Sequence, residues 1–269
     1  MAKIDETARI AKGAELADDV EVGPYCIIGA QVKLAAGVKL YSHVNIQGVT
    51  SIGAGTEVYP FASLGTPPQS VRYRGGATEL TIGAKCQIRE NVTANTGTED
   101  GGGVTRIGEG CFLMAGSHVA HDCIVGNGVI FANNAVIGGH VEVGDFTFFG
   151  GHCAVHQHVR IGESVMVAGY SAIREDVIPF GYVLYPAARL AGLNVVGMRR
   201  RGVKREAMQA IRSAYQILFE GEGEFSPRVD RAEAEHGSVP EVAKIIAFLR
   251  SAKRPVMMTT LRGSAEAVE

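Results

Sequence analysis

The chain has 269 residues and a formal charge of −2, with 46% hydrophobic residues, 35 glycines, five cysteines and no tryptophan. That length supports a sizeable core in one or two domains, and the balanced charge gives no global argument for nucleic acid or a membrane surface. No run of 18 apolar residues is present to span a membrane, and Met1–Glu6 carries no apolar core of a secretory signal, so a cytoplasmic protein is expected.

From residue 4 the chain repeats every six residues. Ile4, Ile10, Leu16, Val22, Ile28, Leu34, Leu40, Ile46, Ile52, Val58 and Leu64 form a first run. Ile82 and Ile88 resume it, Ala94 interrupts it, and Ile107 to Ile173 complete a second run through Leu113, Val119, Val125, Phe131, Ile137, Val143, Phe149, Val155, Ile161 and Val167. Four residues after each of these stands a small or β-branched one, such as Val20, Val38, Ala135 or Val159, which shares the same strand face as the next large residue. Glycine often follows the large residue, as at Gly29, Gly126 and Gly138, where a turn is needed. Short strands, regular turns and this period describe a parallel β-helix of hexapeptide type over residues 1–190, with residues 18 apart stacked roughly 4.8 Å from each other.

Cys26, Cys86, Cys111, Cys123 and Cys153 all fall in the small inward column. They read as buried free thiols, without the spacing of a disulfide framework or a zinc site. Two stretches break the period, about residues 65–81 and 96–105. The first is rich in Pro, Gly and basic groups and the second contains Gly101-Gly102-Gly103. Loops inserted in a regular solenoid commonly carry binding function, and the basic first loop suits an anionic ligand.

After Ile173 an irregular connector marked by Pro179, Gly181, Pro186 and Gly192 is expected, then a small helical domain over residues 191–269. Helical spacing of Ala207, Ala210, Ile211, Ala214, Tyr215 and Leu218 predicts a helix from Lys204 to near Gly221. Val242, Ile245, Ile246 and Leu249 predict another from Pro240. Residues 222–239 read as charged and partly helical at best, and 252–269 as frayed. Arg199-Arg200-Arg201 precede the helices and are donors suited to phosphate if a groove lies beside them.

The densest chemistry is Ser117-His118-Val119-Ala120-His121-Asp122-Cys123. On the 18-residue ladder His121 stacks on Gly139 and Gln157, and Asp122 on His140 and His158, with His156 adjacent. A histidine with one ring nitrogen on a carboxylate is held in one tautomer and can act as general base, and a nearby glycine N–H can stabilise an oxyanion. Histidines packed at a subunit interface are the alternative, and three imidazoles also raise a metal site. His118 and His121 lie closer in sequence than the metal-binding histidines of gamma-class carbonic anhydrases, hexapeptide proteins that hold metal this way.

Ala120-His121-Asp122-Cys123, Pro68-Gln69-Ser70-Val71-Arg72-Tyr73, Gly139-His140, Ala154-Val155-His156-Gln157 and Gly192-Leu193-Asn194 followed by Gly197-Met198-Arg199-Arg200-Arg201-Gly202 together resemble one family. It is the bacterial acyl-carrier-protein:UDP-N-acetylglucosamine O-acyltransferases, which begin lipid A synthesis. The resemblance implies a left-handed β-helix, a homotrimer with sites between subunits, and transfer of an (R)-3-hydroxyacyl group from acyl carrier protein to the sugar 3-hydroxyl without a metal or other cofactor. By this resemblance His121 is the base, Asp122 its orienting partner and Gly139 the oxyanion donor. Gln69, Arg72, His118, His140, His156, Gln157, Asn194, Arg200 and Arg201 are implied as substrate contacts, and Gly169 as the end of the acyl channel. Ser70, Arg72 and Thr96 stand where the family usually has Asp, Lys and Arg, departures that touch the sugar contacts and could accompany a diamino sugar nucleotide. Arg160 and Arg199 are the basic residues expected to meet an acidic carrier. The rival readings are a hexapeptide acyltransferase that uses coenzyme A and a non-catalytic β-helical scaffold.

Overall fold

The structure is a computed structural model that describes residues 1–185 and 188–259. Strands of two to five residues stack into the three faces of a triangular prism, a left-handed parallel β-helix closed by helices. The pairing step is 18 residues: His118 pairs with Val136 and Val136 with Ala154 on the second face. Val58 pairs with Ile88 and Ile88 with Leu113, steps of 30 and 25 residues, so the two loops add 12 and 7 residues to otherwise regular coils. Ala94 is no break in the register. It is fully buried and pairs with Leu64 and Val119, a small residue in a column of larger ones.

Both inward columns fill the prism axis. Val20, Val38, Val92 and Val129 of the small column and Ile46, Leu64, Leu113 and Phe131 of the large one are fully buried, and the Phe131 and Phe149 ring centres lie 4.8 Å apart. All five cysteines are buried and unpaired. Many residues just before the small column adopt a left-handed backbone, among them Tyr25, Asp122, His140 and His158 with φ between 57° and 64°. Asp and His reach this region more readily than most non-glycine residues. At the corner between the second and third faces this places Asp122, His140 and His158 along one edge.

The connector after Ile173 is more regular than its prolines and glycines suggest. Gly181–Leu184 adds a further parallel rung to the first face beside Met166–Val167, and Arg189–Leu193 folds back antiparallel on it. Val183 and Leu190 are buried and hold that hairpin in place. The hairpin runs across residue 190, so strand structure reaches to Leu193 before the helices begin.

Among the described residues four α-helices follow: α1 (Val195–Arg200), α2 (Arg205–Tyr215), α3 (Phe225–His236) and α4 (Pro240–Arg250). A π-helical turn, Gln216–Glu220, extends α2 to the predicted end. The α3 segment is a complete helix despite its charge. It buries Val229 and Ala232, Arg228 caps the Leu218 and Gly221 carbonyls, and Arg250 pairs with Asp230 and Glu233. Residues 255–257 are also fixed rather than frayed, since the Asp176 N–H donates to the Pro255 carbonyl and the Met257 N–H to that of Asp176. Residues 260–269, expected to fray, lie outside the described residues.

The helices dock on the rod through Lys244 with Glu163 at 2.8 Å and through Arg160. Arg160 Nε is 2.7 Å from the Asp176 carboxylate, its other nitrogens donate to Ser251 and the Phe248 carbonyl, and its guanidinium lies over the Phe248 ring. Asp176 has no exposed side-chain surface, so this is a structural ion pair. Arg160 is thereby unavailable as a carrier contact.

Candidate active site

One edge of the prism, where the second face turns into the third, carries most of the candidate residues. Going up that edge, the corners are the 65–78 loop, the 95–103 loop, Ala120–Cys123, Gly138–Val141 and His156–Val159. From His118 upward the strands on either side keep their register, while beside the two loops it shifts between Leu64 and Thr66.

At its centre Asp122 is covered by the second loop, through Thr98 and Gly101, and has no exposed side-chain surface. Burial of a carboxylate requires donors. Thr98 N–H donates to Oδ1 at 2.8 Å and Thr98 Oγ1 to Oδ2 at 2.6 Å. His121 Nδ1 lies 2.8 Å from the same Oδ2, and the Asp122 N–H donates to Thr105 Oγ1. An ionised carboxylate can only accept, so His121 carries its proton on Nδ1 and leaves Nε2 with a free lone pair.

Gly139 lies directly against that ring. A Cβ there would stand 2.4 Å from Cε1 and 2.7 Å from Nε2 of His121, so any side chain would displace the ring. Among the described residues the Gly139 N–H meets no backbone acceptor. His140 stands edge-on to His121 with ring centres 5.1 Å apart, and its Nε2 is 3.7 Å from Asp122 Oδ2. On its other side it stacks on His158 at 4.4 Å. Burial holds the His140 pKa below the usual histidine value against the pull of Asp122, and burial does the same to His118. His118 Nδ1 is fixed 2.7 Å from Thr93 Oγ1.

His121, Asp122 and His140 place three potential ligand atoms within 4.8 Å of one another. Three donors already occupy the Asp122 oxygens, which suits a base-orienting carboxylate better than a metal ligand. Burial pushes the Cys123 and Cys153 thiols up to about 12, so neither is a ready thiolate nucleophile.

Other candidates lie along or beyond this edge. His156 and Gln157 are exposed two rungs above His121, with His156 Nδ1 3.1 Å from the Gln157 carbonyl. Gln69 and Arg72 are exposed on the first loop. Asn194 caps α1, accepting from the Gly197 N–H and donating to the Ser164 carbonyl, while Arg200 and Arg201 end that helix. Arg201 faces the Phe146 ring, and its partial burial lowers its pKa. Gly169 stands apart, at the corner between the first and second faces and packed on Gly151. Thr98, Thr105 and Glu99 were not singled out from sequence, although the seven-residue insertion that carries Thr98 and Glu99 was its visible signal.

Residues 176–257 match the family model described as UDP-N-acetylglucosamine O-acyltransferase, domain 2, and residues 105–139 match the bacterial transferase hexapeptide model. The chain is 57% identical to the acyl-[acyl-carrier-protein]–UDP-N-acetylglucosamine O-acyltransferase of Azorhizobium caulinodans, over 98% of this chain and 97% of that one. The chain belongs to this O-acyltransferase family. The Caulobacter vibrioides member is 52% identical over 95% of this chain and 97% of its own. Among solved structures, the Acinetobacter baumannii family member superposes with a TM-score of 0.92 at 40% identity, covering 94% of this chain and 99% of that one. The family fold accordingly extends through the rod and the helices alike.

Proposed function

We propose that this chain transfers an (R)-3-hydroxyacyl group from acyl carrier protein to the 3-hydroxyl of UDP-N-acetylglucosamine, the first step of lipid A biosynthesis, at the edge that carries His121. The observation that supports it most is a histidine with Nδ1 locked on a buried carboxylate and Nε2 directed at a side-chain-free glycine. In this reading Nε2 takes the proton of the sugar 3-hydroxyl as its oxygen attacks the thioester carbonyl. The Gly139 N–H stabilises the resulting oxyanion. Collapse breaks the C–S bond, and the proton passes from Nε2 to the departing thiolate of the carrier. Acyl transfer is direct, consistent with cysteines that all point into the rod.

His140, His156, His118 and Gln157 line the path beside the base. Gln69 and Arg72 approach the nucleotide sugar from the first loop, and Asn194, Arg200 and Arg201, on the edge between the third and first faces, approach it from α1 of a neighbouring rod. Gly169 is on a different corner from His121, about three rungs higher. A second rod packed alongside would bring the two onto one cleft, which supports a homotrimer with sites between subunits. Among the described residues no helix is long and apolar enough to cross a membrane. The cytoplasm, where a carrier-bound thioester is available, is the expected location.

His121→Ala tests the reading. The protein should remain trimeric and bind UDP-N-acetylglucosamine, yet lose about 10²–10⁴-fold in kcat. Asp122→Asn should cost less, because the imidazole remains. A folded His121→Ala protein with parental turnover would remove this mechanism.

A further inference from the structure

Two loops precede the His121 corner on the same edge; Asn95 and Thr96 join them at their bases, and further out they meet at one turn. Residues Glu99–Gly101 form one turn of 3₁₀-helix capped by Thr98, whose carbonyl accepts from the Gly101 and Gly103 N–H groups. Its hydroxyl accepts from Gly101 N–H at 3.2 Å and therefore directs its own hydrogen at Asp122 Oδ2. The next residue faces the other way. Glu99 Oε1 accepts from Gly76 N–H at 2.6 Å and Arg74 N–H at 3.2 Å, both in the first loop. Backbone hydrogen bonds, from its own N–H and then from Gly76, hold its carboxyl below the ordinary glutamate range.

The glycines around this turn leave it little freedom. A Cβ on Gly76 would fall 2.3 Å from Glu99 Cγ, and one on Gly101 would fall 2.2 Å from the Asp122 carboxyl carbon. Thr78 donates to Thr96 at 2.9 Å and pins the base of the first loop to the second. Within the first loop, Tyr73 donates to the Gly76 carbonyl and the Arg74 guanidinium to that of Val71, so its exposed tip at Arg72 moves with Gly76.

We infer that the Thr98–Glu99 turn is a joint that sets the nucleotide-sugar loop against the base dyad. Thr98 positions Asp122, and through it His121, while Glu99 positions the loop that presents Gln69 and Arg72. Neither residue touches substrate, and both are positioning residues. The inference rests on the reading of the first loop as a nucleotide-sugar contact.

The two halves predict different kinetic signatures. Loss of Glu99's carboxylate frees the loop, so Glu99→Ala should weaken UDP-N-acetylglucosamine binding by calorimetry about tenfold, with a matching rise in KM and little change in kcat. Gly76→Ala should do the same by displacing Glu99, and Glu99→Gln, which keeps an acceptor, should recover most of the loss. Thr98→Val removes one bond to a charged carboxylate and should lower kcat about tenfold with UDP-N-acetylglucosamine affinity unchanged. Thr98→Ser should restore it, and remains informative if the valine variant folds poorly.

Arg72→Ala checks the underlying reading. If it weakens UDP-N-acetylglucosamine binding while Glu99→Ala does not, the joint is wrong. If Arg72→Ala binds normally, the reading of the loop fails, and the Glu99 half fails with it. Equal shifts of kcat and KM in the Thr98 and Glu99 variants would overturn the division of roles.

Discussion

Gly139→Ala is the sharpest probe of the site, because the perturbation is one methyl group at a known distance from the base. Its Cβ would lie 2.4–2.9 Å from Cε1, Nε2 and Nδ1 of His121. Ordinary carbon contacts begin near 3.5 Å, so the imidazole must retreat by roughly 1 Å. The ring cannot slide freely, since Nδ1 is tied at 2.8 Å to an Asp122 that Thr98 and Thr105 hold in place. A displacement of about 1 Å in a reacting group costs on the order of 10²-fold. That corresponds to about 2.7 kcal/mol of barrier, within the range of about 1.5–3 kcal/mol for losing a hydrogen bond to a charged group. The assay is single-turnover transfer from a hydroxyacyl carrier protein, with light scattering and calorimetry to show an intact trimer and normal UDP-N-acetylglucosamine binding. A well-folded Gly139→Ala enzyme with kcat within about threefold of the parent would show that the reacting atoms do not meet the imidazole here, whatever the mutant does to stability.

Arg160→Ala should lower stability by about 2 kcal/mol, read as a drop in melting temperature, because it strands the fully buried Asp176 carboxylate; the figure is set below that for a fully buried pair because the Arg160 side chain is 20% exposed. An unchanged melting temperature would return Arg160 to the pool of free surface cations. Gly169→Met should shift the preferred acyl chain toward shorter lengths in a panel of hydroxyacyl carrier proteins, and an unaltered preference would mean that Gly169 does not end the acyl channel. Burial holds His118 below its unfolded pKa of about 6.5. Its neutral form therefore supports the fold fully above that pH, and the support is lost as pH falls through the lowered native value. Melting temperature should decline on acidification below about pH 6.5, and less steeply in His118→Gln; identical slopes would refute the assignment.

The rod was legible because its physics is periodic. A buried residue every six positions, with a small partner two before it, allows few arrangements, and even the cysteines obey the column. Ala94 was misread as a fault because an alanine carries little hydrophobic signal, although it pairs in register with Leu64 and Val119. The α3 segment was misread for a related reason: Val229 and Ala232 are a narrow stripe, and its charges find partners on α4 and at the preceding helix end, which no local window contains. The His121–Asp122 contact could be read from the sequence because it is between neighbours. Thr98 could not, since its partner is 24 positions away across a loop whose path the repeat does not specify. Arg160 shows the opposite failure, a cation that looked free until the helical domain closed over it.

The unbroken stacking of Phe112, Ile130, Phe148 and Met166 has a metrological consequence. Each coil advances by the strand spacing, about 4.8 Å, and nothing in the register permits a fractional step. A wall built this way is a scale with fixed graduations. Moving a stop from one coil to the next changes the available length by several methylene groups at once. Finer gradations must come from the size of the side chain at a single mark, where one substitution fills or clears only part of an interval. If the acyl chain lies along this wall, as proposed, discrimination between chains differing by two carbons depends on the residue at one corner, with the coil count of the rod setting only the coarse range.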